Sequence, residues 1–125
     1  MKKIAFFDID GTLTSEIDGS IPVSAIEAIR AARANGNLMF INTGRCFQNV
    51  EERFRSIGFD GLVCGCGTNI YCEDREILHV SQTHDVTMEL LKAAQDADLD
   101  ILFESYKEVT FDRSRPLHDS EAIKL

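Results

Sequence analysis

The first third of the chain alternates a short apolar run with a helical pattern. Residues 3–7 (KIAFF) form an apolar run that stops at Asp8, which is typical of a buried strand. Residues 11–20 are rich in Gly, Ser and Asp and predict a loop. The stretch Ser24-Ala25-Ile26-Glu27 has the spacing of a capping box. It predicts a helix that starts there and ends at Asn35-Gly36.

The same alternation continues beyond this helix. Residues 38–41 predict a second strand, which ends at Asn42-Thr43-Gly44-Arg45. Apolar residues spaced over 47–57 predict a second helix, stopped by Gly58, and Leu62-Val63-Cys64 predicts a third strand. Strands that alternate with helices through short connections are parallel and have right-handed crossovers. We therefore expect an α/β fold with a doubly wound, Rossmann-like parallel sheet.

The pattern then changes. Residues 69–71 and 77–80 flank the charged stretch Glu73-Asp74-Arg75-Glu76, which predicts an antiparallel hairpin. A helical pattern follows Thr83.

Two short apolar runs, at 101–103 and 109–111, come after that helix. We place a domain boundary near residue 82. Residues 1–82 are then a Rossmann-like core, and residues 83–125 are the beginning of a smaller α+β unit.

Composition limits the classes of function. The 125 residues are 44% hydrophobic and 27% charged, which is typical of a globular domain. The net charge of −8 argues against nucleic-acid binding, which needs clustered cations. No apolar run approaches the roughly 20 residues of a membrane span, and no signal peptide opens the chain. We expect a cytoplasmic protein without a membrane partner.

The four cysteines allow more than one reading. Cys64, Cys66 and Cys72 cluster in sequence, while Cys46 stands apart. Zinc with His79 as a fourth ligand is conceivable, although the spacing differs from that of structural zinc sites. Disulfides are disfavoured because no export signal is present. We expect buried, reduced thiols.

Candidate chemistry lies at the ends of the first two strands. Ligands of open parallel sheets bind beyond the carboxyl ends of the strands. Asp8 and Asp10 follow the first strand, and alternation directs both carboxylates the same way. Like charges this close need a cation or a shared proton. Oxygen ligands at a strand end suit Mg²⁺, which predicts a magnesium site at Asp8 and Asp10.

A phosphate site is predicted beside it. Gly11 permits a sharp turn that brings backbone N–H groups near an anion. Thr43 offers a hydroxyl and Gly44 an unshielded amide, at the start of the predicted second helix, where phosphates bind favourably. Each motif alone can also be explained without a ligand. Asp8-Ile9-Asp10 could only cap a loop, and Thr43-Gly44-Arg45 could only start a helix. Gly65-Cys66-Gly67 lacks the third glycine of a dinucleotide fingerprint.

Taken together, Asp8-Ile9-Asp10-Gly11-Thr12-Leu13-Thr14 and Thr43-Gly44-Arg45 resemble motifs of the haloacid dehalogenase superfamily of phosphatases. The nearest likeness is to its Cof-type subgroup, in which a cap domain is inserted late. The resemblance implies that Asp8 is the nucleophile and Asp10 the acid/base, with the Asp10 carbonyl helping to hold Mg²⁺. It also implies that Thr43 contacts the phosphate. Cys66-Gly67-Thr68 stands where the family usually has Asn-Gly-Ala, which leaves the role of Cys66 open.

The function that the resemblance implies is Mg²⁺-dependent hydrolysis of a phosphomonoester. The reaction would pass through an aspartyl-phosphate, and the substrate would be a small phosphorylated metabolite. Arg45 would either contact that substrate or form a surface salt bridge. The alternatives are a phosphotransferase such as a sugar phosphomutase, and a non-enzymatic module that binds Mg²⁺ or phosphate.

Two further motifs of the superfamily do not follow in this sequence. These are a lysine and an acidic pair, both of which come after the cap. Lys92, Lys107 and Lys124 lie in the predicted cap. We therefore expect the chain to be the N-terminal part of a longer protein and to be inactive alone. We also expect self-association through an unpaired edge of the third strand or a neighbour, and an exposed apolar patch at Met88 and Leu91.

Overall fold

A computed structural model describes residues 1–73, 75–105 and 109–111. The strands are Ile4–Phe7 (β1), Leu38–Asn42 (β2), Gly61–Cys64 (β3), Asn69–Cys72 (β4), Arg75–His79 (β5), Leu102–Glu104 (β6) and Val109–Phe111 (β7). The α-helices are Val23–Ala34 (α1), Glu52–Arg55 (α2) and His84–Asp96 (α3). Across the described ranges, no helix is long and apolar enough to cross a membrane. Asp74, Lys107 and Lys124, which were named above, lie outside these ranges.

Strands β1 to β5 form one sheet, in which they stand in the order of the sequence. β1, β2 and β3 are parallel, and β4 and β5 continue the sheet in antiparallel fashion. The predicted α/β, Rossmann-like fold is confirmed, and so is the hairpin after the third strand. Gly61 permits the close approach of β3 to β4, because a Cβ there would lie only 2.2 Å from the Tyr71 carbonyl oxygen.

The second predicted helix is wrong in its extent. Residues 47–57 contain one turn of 3₁₀ helix, Phe47–Asn49, and the four-residue α2. Arginine side chains take carbonyls that a continuous helix would use. Arg45 Nη1 donates to the Asn49 carbonyl at 3.2 Å, and Arg55 Nε donates to the Val50 carbonyl at 2.7 Å. The apolar spacing therefore indicated core residues correctly but not one regular helix.

The sequence predicted helix starts at Ser24 and Thr83, and only Thr83 acts as an N-cap. α1 begins at Val23, one residue before Ser24, and its N-cap is Pro22, which makes no side-chain cap. Ser24 is thus inside the helix, and the predicted capping box is wrong. Thr83 does cap α3, because its hydroxyl oxygen accepts a hydrogen bond from the Val86 amide at 3.4 Å.

The core lies on one face of the five-stranded sheet. Buried strand residues on this face pack with buried residues of α1 and of the β2–β3 connection, including Ile29, Met39, Ile41, Phe54 and Cys64. On the opposite face, Ile4 and Phe6 are each 58% exposed. We call these the covered face and the open face.

The unpaired edges differ from the expectation. β3 pairs with β2 on one side and β4 on the other, so the third strand has no free edge. Within the described part of the sheet, the outer strands are β1 and β5. The expectation named the third strand or a neighbour: the third strand is excluded, and the outer strand on the N-terminal side is β1.

The chain divides into two compact units, Met1–Val80 and Ser81–Leu125. In the second unit, α3 is followed by the antiparallel pair β6–β7. Met88 on α3 is 47% exposed, and Leu91 is less exposed than Met88. The assignment of this unit as the beginning of a cap stays a prediction.

Candidate active site

The two sequence motifs meet at one edge of the sheet. β1 and β2 are parallel neighbours, and Phe7 stands opposite Ile41 in their register. Asp8 and the segment 43–45 therefore leave adjacent strands at the same end.

A wide turn over Ile9–Leu13 shapes the segment that follows β1. The Leu13 amide donates to the Asp8 carbonyl at 3.2 Å, and Gly11 has a φ of 72°, which glycine adopts without strain. Ile9 and Leu13 are buried and anchor the turn. Asp8 and Asp10 remain exposed above it.

Asp10 is clamped by Arg45. Arg45 Nε donates to Asp10 Oδ2 at 2.9 Å, and Nη2 donates to Oδ1 at 2.5 Å. Hydrogen bonding from Arg45, with its positive charge, holds the pKa of Asp10 below its ordinary value, although partial burial opposes the shift. While this pair holds, Asp10 is a carboxylate that accepts protons and hydrogen bonds.

A second pair holds Arg45 in turn. Glu51 Oε1 accepts from Arg45 Nη1 at 3.2 Å, and Glu51 Oε2 accepts from Arg53 Nε at 2.7 Å. Arg53 also donates to the Gly19 carbonyl at 2.8 Å, which ties the loop after β1 to the β2–β3 connection. The pKa of Glu51 is lowered by Arg53 first and also by Arg45. Sequence reasoning missed Glu51 and Arg53, since no motif marks them.

The three candidate phosphate ligands differ in access. Gly11 and Gly44 are exposed, whereas Thr43 is 3% exposed. Thr43 Oγ1 accepts a hydrogen bond from the Arg45 amide at 3.1 Å, so the hydroxyl still has its own proton to donate.

The predicted helix at 43–45 is not present, since the next α-helix, α2, starts at Glu52 and has four residues. The expectation of a helix N-terminus at this phosphate site is wrong.

Cys66 lies beside the same segment. Its amide donates to the Thr43 carbonyl at 3.3 Å, and its Sγ lies 3.5 Å from the position that a Cβ on Gly44 would take. Cys66 is exposed and has a φ of 54°, in the left-handed region. The expectation of buried thiols is therefore wrong for Cys66.

The other cysteines are arranged differently. Cys46 and Cys64 are buried, and burial raises the pKa of Cys64 to about 11. Cys64 stands opposite Asn69 at one end of the β3–β4 pair, and Cys72 stands opposite Gly61 at the other end. This separation does not favour a zinc site that would need both thiols.

The acidic residues at the site suit part of a magnesium shell. The Asp8 carboxylate is exposed and accepts no hydrogen bond from the described residues. Among those residues, no group of three or more His, Cys, Asp or Glu side chains converges on one point. Mg²⁺ commonly binds through one or two carboxylates, with waters and phosphate oxygens completing its octahedron. Asp8 therefore fits such an ion as one of its ligands.

Comparison with protein families gives a match over most of the chain. A family model described as haloacid dehalogenase-like hydrolase matches residues 5–124. No curated protein matches the sequence.

Solved structures agree in fold. A phosphatase of the haloalkanoate enzyme superfamily from Bacteroides thetaiotaomicron is 25% identical, with a TM-score of 0.81 over 93% of this chain and 43% of that chain. A hypothetical protein from Geobacillus kaustophilus is 27% identical, with a TM-score of 0.81 over 94% of this chain and 46% of that one. A subclass IIB sugar phosphatase is 29% identical, with a TM-score of 0.72 over 89% and 44%. The chain thus spans less than half the length of these structures.

Proposed function

The chain belongs to the haloacid dehalogenase-like hydrolases, and on that basis we propose that it carries the nucleophile of a Mg²⁺-dependent phosphomonoester hydrolase. The observation that supports this proposal is the meeting of Asp8 and Asp10 with Thr43, Gly44 and Arg45 at one end of two parallel strands. The proposal concerns the activity of the whole protein, since the chain spans less than half the length of the related structures.

In the proposed reaction, Asp8 attacks phosphorus in line and the bond to the leaving oxygen breaks. An aspartyl-phosphate and an alcohol result. Water then attacks the phosphorus of this intermediate, and Asp10 accepts its proton as inorganic phosphate leaves. The clamp by Arg45 keeps Asp10 ionised, which suits this second step. To protonate the leaving alcohol in the first step, Asp10 must leave Arg45 and take up a proton from solvent before the attack. That transfer returns Asp10 to the carboxylate, which then accepts the proton of the attacking water.

The phosphoryl group would be held by this chain through backbone and hydroxyl donors. Gly11 follows β1, and Thr43 and Gly44 follow the neighbouring parallel strand β2, so all three come after the same end of the sheet as Asp8. Asp8 and the Asp10 carbonyl would hold Mg²⁺, which when bound neutralises charge on the phosphoryl oxygens. Arg45 binds Asp10 here, which favours the salt-bridge role over direct substrate contact.

We propose a small phosphorylated metabolite as the substrate. One related structure is that of a sugar phosphatase, so sugar phosphates are the first compounds to assay. A phosphotransferase would instead deliver the phosphoryl group to a sugar acceptor, which product analysis detects. A binding module would bind Mg²⁺ or phosphate without turnover.

The test is Asp8→Asn in the full-length protein that contains this chain. We expect loss of Mg²⁺-dependent turnover of an aryl phosphate, because an amide cannot form the acyl phosphate. Glu27→Gln, which changes an exposed carboxylate on α1, is the control and should retain turnover. Near-normal turnover by pure, folded Asp8→Asn would contradict the assignment. We expect the 125-residue chain alone to show only background hydrolysis, since the later lysine and acidic pair are not among its residues.

A further inference from the structure

A cavity of about 500 Å³ lies on the covered face, away from the candidate active site. Its lining includes Asp60 and Gly61, at the start of β3, and Glu73, just after β4. It therefore lies toward the end of the sheet opposite Asp8 and Thr43. Small-molecule sites in proteins have volumes of about 300–1,000 Å³.

The floor of the cavity is an apolar row that crosses three strands. Ile41 pairs with Leu62, and Leu62 pairs with Tyr71, so their side chains lie on one face. The Phe47 ring stands against the Tyr71 ring, with centroids 4.5 Å apart. The β2–β3 connection, which contributes Phe47 and Arg55 to the lining, contains only the four-residue α2.

Arg55 presents a fixed cation to this space. Its Nε donates to the Val50 carbonyl at 2.7 Å, and its Nη2 donates to the Phe47 carbonyl at 3.3 Å. The guanidinium lies 4.7 Å from the centroid of the Phe47 ring. Nη1 has no hydrogen-bond partner among the described residues. Since the side chain is already ordered, a ligand that binds Nη1 would lose little entropy in ordering it.

The other charges at the rim are of both signs. Asp60 accepts from Arg33 Nε and from the Met39 amide, each at 2.8 Å. Its carboxylate is therefore engaged, while the two Nη atoms of Arg33 have no partner in the described part of the chain. Glu73 is exposed at the β4–β5 turn. The cavity thus combines an apolar floor with guanidinium N–H groups at its rim.

We propose that this cavity is a second ligand site, separate from the candidate active site, which binds a small aromatic carboxylate. The ring packs on Leu62, Phe47 and Tyr71, and the carboxylate accepts hydrogen bonds from Arg55. Charge-assisted bonds of this type are stronger than neutral ones, so the charged ligand is favoured over its amide. The site does not depend on the proposed phosphatase activity.

The experiment is calorimetric titration of the metal-free protein with 2-naphthoate, and with 2-naphthamide as the neutral ligand of the same shape. We expect saturable binding of the acid and at least roughly tenfold weaker binding of the amide. Arg55→Gln should weaken binding of the acid about tenfold. Arg30→Gln is the matched control: Arg30 also donates to two carbonyls, of Ile57 and Ser56, but does not line the cavity.

Because Arg55→Gln also removes two bonds to the backbone, two more variants are included. Arg55→Lys keeps the charge and should retain part of the affinity, and Leu62→Phe should abolish binding by filling the floor. Melting curves establish that each variant is folded. The proposal is overturned if the folded protein does not bind the acid, if the acid and amide bind equally, or if Arg55→Gln and Leu62→Phe leave affinity unchanged. It is also overturned if Thr43→Ala weakens binding of the acid as much as Arg55→Gln does, because the acid would then occupy the candidate active site.

Discussion

The two faces of the five-stranded sheet carry similar side chains in different surroundings. Ile41 points to the covered face and is fully buried, whereas Ile4, on the open face, is 58% exposed. Phe6 and Phe40 lie in register on the open face, with ring centroids 5.4 Å apart. Residue type alone therefore does not distinguish the faces.

The difference lies in what the chain places over each face. α1 and the β2–β3 connection contribute Ile29 and Phe54 to the core on the covered face. The open face receives no such cluster from the described residues. An apolar run such as β1 predicts a strand buried on both sides, and here only one of its sides is packed.

The largest difference in stability is expected between alanine variants of two isoleucines, one on each face of the sheet. Ile41→Ala should lower the free energy of unfolding by about 2–5 kcal/mol, because it leaves a cavity in a packed core. Ile4→Ala should lower it by less than about 1 kcal/mol, since that side chain is already largely hydrated. Urea unfolding followed by circular dichroism measures both. Equal losses would show that the open face is covered in solution.

A smaller effect is expected from the ion pair that ties α1 to the sheet. Burial alone would raise the pKa of Asp60, but the Met39 amide and the Arg33 guanidinium lower it below the ordinary value of 3.8. A group whose pKa is lowered by folding stabilises the fold above its unfolded pKa, and that stabilisation disappears as the pH falls through its folded pKa. Asp60→Asn should therefore cost about 1 kcal/mol near neutral pH and almost nothing in strong acid.

Unfolding in urea at about pH 7 and about pH 2 measures this dependence. Asp96→Asn, at an exposed position at the end of α3, is the control. A cost of Asp60→Asn that is the same at both pH values would mean that the carboxylate charge is unimportant.

The smallest effect on stability is expected on the open face itself. We propose that this face and the adjoining edge of β1 mediate self-association of the chain. Phe6→Lys should change the free energy of unfolding by less than about 1 kcal/mol yet shift sedimentation velocity profiles towards monomer. Ile17→Lys introduces the same charge at a loop residue that is 98% exposed and should not change them. A wild-type chain that remains monomeric at high concentration would contradict the proposal.

Much of the fold was readable from periodicity. The first three strands and α3 lie close to their predicted positions, because each combines an apolar run or helical spacing with clear end signals. The β2–β3 connection was not predictable in the same way. Its backbone carbonyls accept hydrogen bonds from Arg45 and Arg55, and contacts of this kind do not produce a periodic pattern in the sequence.

The candidate site shows the same limit. The motifs indicated which residues gather at the end of β1 and β2, and the structure places Asp10 and Thr43 there. The clamp on Asp10 depends on Arg45, which is 35 residues away, and on Glu51, which has no motif of its own. Such partners depend on how the connection folds and are visible only in three dimensions.

The order of the strands bears on how the protein is made. Each of the first five strands pairs only with strands that precede or follow it directly in the sequence. The parallel pairs β1–β2 and β2–β3 must still close over long crossovers, and parallel pairing of this kind is slow, whereas the β4–β5 hairpin is local. Because each later strand adds to an edge that is already present, we expect the sheet to grow from β1 towards β5 as the chain is synthesised.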